Sequence, residues 1–216
     1  MGEVTDIKSR TQVDIFEKRD DVDEEVLLDV LGEAVKAIED EGIPYVFIGG
    51  LASVLLGPPS STNDIDFFVR PEDAERVMET LSKRGFETKV HDPSWLMKGV
   101  KKGVLVDVIF KSTGDIFLDD EMLARASVGE FKRQRLRIVS PEDLMVMKAL
   151  AHQRDTHYWY DALDLLAHSE MDWDYVLRRA RHGPRRILSL LAYAQSEDLA
   201  VPNTAIQKLV ELIYGG

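Results

Sequence analysis

The segment at residues 45–69, YVFIGGLASVLLGPPSSTNDIDFFV, contains two apolar runs, a glycine pair and two acids. The first run, YVFI, is typical of a buried strand and ends at the glycine pair, after which a short helix is predicted over about 51–56. The second run, DIDFFV, carries Asp64 and Asp66, whose side chains share a face because strand residues alternate. Two charges on a strand suited to burial are costly unless a cation or a proton accompanies them. The segment therefore predicts a charged site on a buried strand.

The composition is that of a folded protein with an acidic surface. Of the 216 residues, 44% are hydrophobic and 31% are charged, and the formal net charge is -12. These values exclude a disordered chain and argue against a protein that coats nucleic acid, since phosphate binding needs Lys and Arg. Local basic segments leave room for a polyanionic partner; they are KGVKKG at 98–103, FKRQRLR at 131–137 and RRARHGPRR at 178–186.

Two absences from the sequence guide the expected location. The chain has no cysteine, which excludes disulfides and thiolate metal sites. No apolar run is long enough to cross a bilayer, and the first residues, MGEVTDIKSR, lack the apolar core of a signal peptide. We therefore expect a cytoplasmic protein with no membrane segment.

Helical and strand periodicities divide the chain into three parts. Residues 1–24 are polar and weakly patterned, and they are predicted to form a loose arm. Residues 25–139 are predicted to form an α/β domain, in which helices flank a mixed sheet. At Ser140 the pattern becomes helical, so residues 140–216 are predicted to form an all-helical domain.

The α/β part is expected to alternate strands and helices. FETKVH and VLVDVIF are predicted to form a hairpin-like pair around KKG, and FKRQRLRIV is predicted to be a basic edge strand. A short helix is expected within GDIFLDDEMLARAS. The longer helices are predicted over 25–41, 71–85, 141–167, 172–193 and 202–214.

A third acid, Asp107, lies alone inside VLVDVIF, another strand suited to burial. Three carboxylates meeting on one side of a sheet would repel unless divalent ions lay among them, and hard oxygen ligands suit Mg²⁺. The pair Gly49-Gly50 would let the backbone approach a ligand, and the helix after it would offer N–H groups to a phosphate. Together these features indicate a site for a nucleoside triphosphate and its metal.

Each acid also has an ordinary structural interpretation. Asp64 could cap a loop, Asp66 could face solvent on an edge strand, and Asp107 could pair with a nearby Lys. The joint occurrence of all three acids behind a glycine pair favours the functional interpretation.

The arrangement resembles the nucleotidyltransferase superfamily of polymerase-beta type. Gly-Gly, thirteen intervening residues, Asp-Ile-Asp-Phe and a third Asp on a later strand match the motif of that superfamily. The segment STNDIDFFV is close to the form seen in minimal nucleotidyltransferases of bacteria and archaea. SPEDLMVMKALAHQRDTHYWYDALDLL is similar to the helix after the core in nucleotidyltransferase toxins of type IV toxin–antitoxin systems. The resemblance covers residues from about 43 to 167.

The resemblance implies roles for individual residues. Asp64 and Asp66 would bind Mg²⁺ or Mn²⁺, and Asp107 would bind one metal ion and help to activate the acceptor hydroxyl. The residues implied at the triphosphate are Gly49, Gly50 and Lys148, with Asp161 as a further candidate acid of the site.

Two positions depart from the pattern of these relatives. Gly50 stands where many members have Ser, which removes a hydroxyl contact to phosphate. Ser60 stands where many relatives carry Arg, which removes a cationic contact. A weak or narrow enzyme, an enzyme that depends on Arg and Lys from elsewhere, and an inactive relative are each consistent with both changes.

The predicted function is metal-dependent transfer of a nucleoside monophosphate from a nucleoside triphosphate to an acceptor hydroxyl. The end of a tRNA or other RNA, or a protein side chain, is favoured over a small molecule such as an aminoglycoside. The toxin-like second motif also suggests an antitoxin protein as a partner. The alternative is a catalytically inactive relative that binds a nucleotide or a partner without turnover.

Other constellations indicate no further chemistry. G-x-G-x-x-G, the P-loop, G-x-S-x-G and H-E-x-x-H patterns are not present. His152 and His157 are predicted to be surface or interface residues, and Tyr158 and Trp159 to form the seam between the two halves. One basic cluster is a candidate contact to an acceptor or RNA; it comprises Arg178, Arg179, Arg181, Arg185 and Arg186.

Overall fold

The computed structural model describes residues 15–17, 22–57, 62–153 and 155–215. These residues form a seven-stranded mixed sheet with flanking helices, followed by a helical C-terminal region. The strands are β1 (Tyr45–Phe47), β2 (Ile65–Val69), β3 (Glu87–Asp92), β4 (Leu96–Lys101), β5 (Val104–Ile109), β6 (Ser127–Phe131) and β7 (Gln134–Ile138). The helices are α1 (Glu24–Asp40), α2 (Gly49–Leu56), α3 (Pro71–Lys83), α4 (Asp120–Arg125), α5 (Pro141–Ala151), α6 (His157–His168), α7 (Trp173–Arg179), α8 (Pro184–Ser196) and α9 (Asn203–Tyr214).

The sheet has the order β3-β4-β5-β2-β1-β7-β6. Its centre is apolar, and Phe47, Phe67 and Phe68 on β1 and β2 are fully buried. Helices α1 and α3 pack together and against β5, while α2 packs against β2 and β6 and contacts α5 and α6. The fold class predicted from the sequence is therefore confirmed.

Helix α1 shows how local signals set the element boundaries. The Asp23 side chain accepts hydrogen bonds from the backbone N–H groups of Glu25 and Val26, which caps the first turn. The chain leaves the helix at Gly42, whose φ of +64° suits glycine. The predicted helix over 25–41 is confirmed to within one residue.

The structure corrects the predicted hairpin of FETKVH and VLVDVIF. An additional strand, β4, lies between β3 and β5 and pairs with both in antiparallel fashion. The KKG turn therefore joins β4 to β5 and not the two predicted strands. The sequence of β4, LMKGVK, hides its strand character because a glycine and two lysines interrupt the apolar pattern.

The basic segment FKRQRLRIV is likewise not a single edge strand. Its first residue, Phe131, ends β6, the chain turns at Lys132, whose φ is +57°, and the rest of the segment contains β7, which pairs with β6. Strand β7 lies inside the sheet, parallel to β1, and β6 is the edge.

The helical region begins where the sequence predicts it. Ser140 Oγ accepts a hydrogen bond of 3.2 Å from the Asp143 N–H, and Pro141 occupies the first turn. The pattern predicted over 141–167 forms two helices, α5 and α6, and the pattern over 172–193 is broken by a 3-10 turn before α8. A domain boundary near residue 139 stays a prediction.

Among the described helices, none combines the length and the apolar character that a membrane crossing requires.

A buried ionic cluster joins α7 to the start of α5 and the residue before α4. Arg179, with 2% of its side chain exposed, lies 2.5 Å from Asp119 and 2.7 Å from the fully buried Asp143. The Tyr175 hydroxyl donates a hydrogen bond of 2.7 Å to the other oxygen of Asp143. Arg179 is therefore part of the core, and its prediction as an acceptor contact is wrong. In the same basic cluster, Arg178 is paired with Glu121 at 2.7 Å.

Candidate active site

Asp66 and Asp107 lie directly opposite each other on the adjacent parallel strands β2 and β5. Residues in register share a face of the sheet, so the two carboxyl groups point the same way. Burial and the charges of Asp107 and Asp64 raise the pKa of Asp66 to about 7. Burial also raises the pKa of Asp107 to about 6, although the Lys98 ammonium opposes the shift. The two groups form an electrostatically strained pair.

Asp64 lies beside this pair but not within the strand. Strand β2 begins at Ile65, one residue later than the predicted strand DIDFFV, so Asp64 is the residue just before it. Its backbone N–H donates a hydrogen bond of 3.2 Å to Thr62 Oγ1. The charge of Asp64 contributes to the raised pKa of both Asp66 and Asp107. The three acids therefore lie close enough together to interact electrostatically.

The glycine pair forms the start of α2, directly against Asp66. Gly49 has a φ of +61°, and a Cβ atom there would overlap the Asp66 carboxylate, whose Cγ would lie 2.7 Å away. The Gly50 N–H donates a hydrogen bond to Asp66. Only glycine at position 49 allows the helix to approach the carboxylate so closely.

Lys148 and Asp161, predicted as further site residues, contact each other. The Lys148 side chain is buried, and its Nζ lies 2.5 Å from Asp161 Oδ2 and 5.1 Å from the centre of the Tyr158 ring. The positive charge of Lys148 also acts on Asp66, where it lowers the pKa against the larger effect of burial. The structure therefore brings Lys148 to the same site as Asp66.

A cavity of about 670 Å³, including its open mouth, lies between the sheet and helices α5 and α6. Gly49, Asp66 and Lys148 line it, Lys111 adds a second ammonium group, and most of the other lining side chains are apolar or carry hydroxyls. The other lining residues are Ile48, Trp95, Ile109, Lys111, Ser112, Thr113, Leu144, Met147, Ala151 and Tyr158.

Tyr158 and Trp159, predicted together as a seam, differ in their surroundings. Tyr158 lines the cavity, whereas Trp159 packs against the hydrophobic core and contacts the rings of His152 and Tyr193. His157 is exposed and contacts Asp155.

Lys98 is a site residue that sequence reasoning missed. It lies opposite Asp107 on β4, and Lys89 on β3 lies opposite Lys98, so a row runs Lys89–Lys98–Asp107–Asp66 across four strands. Lys98 Nζ lies 3.8 Å from Asp107 Oδ1 and 3.4 Å from the carbonyl oxygen of Phe16. Both contacts are long, so the ammonium group is loosely held. The row follows from the register of β4, the strand that the sequence did not reveal.

The acids suit a hard divalent cation, although they do not form a finished cage. Within the described ranges, no three His, Asp or Glu side chains lie closely enough together to hold a metal ion as they stand. Asp107 Oδ1, however, is buried and accepts no hydrogen bond within those ranges, and all the available donors are carboxylate oxygens. A cation between the acids would relieve the repulsion that raises their pKa values.

Ser60, the second departure from the pattern of relatives, lies outside the described residues. The first departure is Gly50. A Cβ atom added at this position would overlap Thr62 Oγ1 and lie 2.9 Å from Thr62 Cβ. Thr62 is the second residue that sequence reasoning missed, because residues 50 and 62 are not adjacent in the chain.

Solved nucleotidyltransferase structures share the fold of this chain. An antigenic nucleotidyltransferase-like protein from Paracoccidioides brasiliensis is 16% identical with a TM-score of 0.57, over 89% of this chain and 97% of that one. The solution structure of the antibiotic-resistance factor ANT(2'')-Ia is 12% identical with a TM-score of 0.51, over 82% and 95%. Its crystal structure with adenylyl-2''-tobramycin is 14% identical with a TM-score of 0.50, over 80% and 99%. At these identities the likeness establishes the fold alone.

No curated protein sequence matches the chain. A family model described as uncharacterised nucleotidyltransferase matches residues 18–196, and the chain therefore belongs to that nucleotidyltransferase family.

Proposed function

We propose that this protein transfers a nucleoside monophosphate from a nucleoside triphosphate to an acceptor hydroxyl. The observation that carries the proposal is the register of Asp66 and Asp107, which face one another beside the glycine pair that begins α2. Buried carboxyl groups with raised pKa values in a cleft are candidates for catalytic groups. Membership of a nucleotidyltransferase family supports the same reaction class.

The cavity beside Asp66 is suited to the nucleotide. Gly49 and Lys148, which line the cavity, together with Gly50 next to Gly49, would bind the triphosphate through the helix N-terminus and an ammonium group. The apolar remainder, with Trp95 and Tyr158 in its walls, suits a nucleoside. Asp161 would orient Lys148 through the ion pair between them.

Asp64, Asp66 and Asp107 would hold Mg²⁺ or Mn²⁺. Bound there, the metal would supply Lewis-acid stabilisation of the phosphate charge. Asp66 is already positioned for this role by the hydrogen bond from the Gly50 N–H.

The chemical step is an in-line displacement at the α-phosphorus. The acceptor oxygen forms a bond to phosphorus, the bond to the β-phosphate oxygen breaks, and pyrophosphate leaves. The acceptor proton passes to Asp107 or, through it, to solvent, which is the role of a general base. Lys148 and the N–H groups at the start of α2 would stabilise the departing pyrophosphate.

The charges around Asp107 favour an anionic acceptor. Lys98 and Lys89 continue the row beyond Asp107, so the flank that the acceptor would approach carries two cations. Once divalent ions compensate the three acids, the two lysines would attract a phosphate-bearing chain and repel a polycation such as an aminoglycoside. We therefore propose an RNA end as acceptor, ahead of a protein hydroxyl. An antitoxin partner stays a prediction from sequence.

The test is incubation of the protein with each labelled nucleoside triphosphate, Mg²⁺ and total RNA or total protein. We expect label in RNA and release of pyrophosphate, both lost in Asp66→Asn. Label found in protein alone would indicate that the acceptor is a side-chain hydroxyl of a protein and not an RNA end. Equal transfer by the wild type and Asp66→Asn would contradict the proposed mechanism.

The alternative function is nucleotide or partner binding without turnover. It is favoured by the loose arrangement of the acids, which lack a close group of three ligands within the described residues. Thermal-shift titration with nucleoside triphosphates separates the two functions. Binding that does not depend on metal, with no pyrophosphate released, would support the binding module.

A further inference from the structure

The Thr62 hydroxyl occupies the space that a side chain at position 50 would fill. A Cβ atom on Gly50 would overlap Thr62 Oγ1 and lie 2.9 Å from Thr62 Cβ. The two residues are thus alternatives in one volume, and a side chain can enter it from either position but not from both. The hydroxyl missing from residue 50 in the sequence is present in space, supplied by the segment that leads into β2.

Among the described residues, the hydrogen bond made by the Thr62 side chain leaves its O–H proton unused. Thr62 Oγ1 accepts a hydrogen bond of 3.2 Å from the N–H of Asp64. A hydroxyl has one donor and two acceptor positions, so this bond uses an acceptor position and not the O–H. The bond also holds the oxygen between Gly50, at the start of α2, and Asp64, just before β2.

We propose that Thr62 donates a hydrogen bond to the triphosphate of the bound nucleotide, in place of a side chain at Gly50. This inference rests on the proposed function, because it concerns the same nucleotide site. The hydroxyl lies at the start of α2, where N–H groups already favour an anion. A hydrogen bond to a charged oxygen is stronger than one between neutral groups, so its loss has a measurable effect.

The first experiment removes the hydroxyl and keeps the shape. Thr62→Val should raise the KM and the dissociation constant for ATP with Mg²⁺ by about tenfold to a hundredfold, with a smaller change in kcat. AMP, which lacks the β- and γ-phosphates, should bind Thr62→Val and the wild type alike. Thr62→Ser keeps the hydroxyl and should remain within about threefold of the wild type. Thr88→Val, on the exposed edge strand β3, is the matched control and should change neither constant.

The second experiment exchanges the two positions. Gly50→Ser alone should impair ATP binding, because the new side chain collides with Thr62. The double variant Thr62→Ala with Gly50→Ser opens the space and returns a hydroxyl to it, so ATP affinity should recover above that of Thr62→Ala. If Thr62 only stabilised the turn by accepting the hydrogen bond from the Asp64 N–H, adding Gly50→Ser to Thr62→Ala would not restore ATP affinity.

The outcomes separate this inference from the proposed function. Failure of the wild type to bind any of the four nucleoside triphosphates with Mg²⁺ would overturn both. ATP affinity that is unchanged in Thr62→Val, while Asp66→Asn loses transfer, would overturn the role of Thr62 alone. Equal weakening of AMP and ATP would also overturn it, since the contact would then not be to the terminal phosphates.

Discussion

Two clusters of buried carboxyl groups in this protein are compensated in opposite ways. Around Asp143, Arg179 supplies a full positive charge at 2.7 Å, and the hydroxyls of Tyr175 and Ser140 donate hydrogen bonds of 2.7 and 3.0 Å. Around Asp107, the Lys98 ammonium lies 3.8 Å from Oδ1. Within the described residues, Oδ1 of either acid accepts no hydrogen bond, so the two clusters differ in how close the cation lies and in the hydroxyl donors at the second oxygen of Asp143.

The difference separates a structural role from a ligand-binding one. Burial raises the pKa of Asp143, which lies in α5. Its partners belong to α7 and to the N-cap of α5, so this cluster stabilises the helical region without any ligand. The carboxylates of Asp66 and Asp107 repel each other, and the pair is stabilised only if a cation binds to it. A carboxylate left short of partners inside a cleft is expected where a ligand completes the site.

The largest expected effect is the loss of nucleotidyl transfer in Asp66→Asn. Removing this ligand should lower kcat on the order of 10³-fold, since metal binding contributes several kcal/mol. Because the variant also removes an uncompensated buried charge, its free energy of unfolding should not fall. Labelled transfer and urea unfolding, measured together, test both statements. If Asp66→Asn instead loses activity because the protein unfolds, Asp66 has a structural role like that of Asp143.

The converse is expected for Arg179→Met. Asp143 would then be buried without its cation, which should lower the free energy of unfolding by about 3–5 kcal/mol. Activity per folded molecule should stay close to that of the wild type. Urea unfolding and active-site titration measure the two quantities. Arg178→Met, next to it but half-exposed and paired with Glu121, is the matched control and should change stability little.

A smaller effect is expected for Gly49→Ala, which tests how tightly the first turn of α2 fits Asp66. The positive φ alone should lower the free energy of unfolding by about 1–2 kcal/mol. The new methyl group would also displace the Asp66 carboxylate, with a loss of kcat of about 10²-fold. Gly85→Ala also has a positive φ but contacts no acid, and it should reduce stability and leave kcat unchanged. Equal kcat values in the two variants would contradict the close fit at Asp66.

The last prediction concerns pH. Asp66 and Asp107 have folded-state pKa values of about 7 and about 6, against 3.8 in an unfolded chain. The folded protein therefore holds more protons between about pH 4 and pH 7, and raising the pH through this window lowers the free energy of unfolding. Each group contributes at most about 1.4 kcal/mol per pH unit.

Urea unfolding in a chelator at pH 5 and pH 8 measures this slope. The double variant Asp66→Asn with Asp107→Asn should flatten it, and Mg²⁺ should stabilise the wild type more at pH 8 than at pH 5. A slope that persists in the double variant would place its origin elsewhere in the molecule.

Local sequence signals predicted much of the fold. The apolar runs of β1, β2 and β5, the cap at Ser140 and the stop at Gly42 are short-range features, and the structure contains each of them. Strand β4 could not be recognised in this way, because Gly99 and two lysines replace the apolar alternation. It is stable as a strand because it pairs on both sides, a property that only its neighbours provide.

By itself, the sequence determined which acids and glycines could form the site, because strand alternation and glycine backbones are properties of consecutive residues. Only the tertiary structure decided that Asp107 lies opposite Asp66, that Lys98 extends their row, and that Thr62 occupies the space beside Gly50. It also decided that Arg179 belongs to the core and not to the surface. The physical reason is that register and burial depend on residues distant in the chain, whose contacts no local pattern encodes.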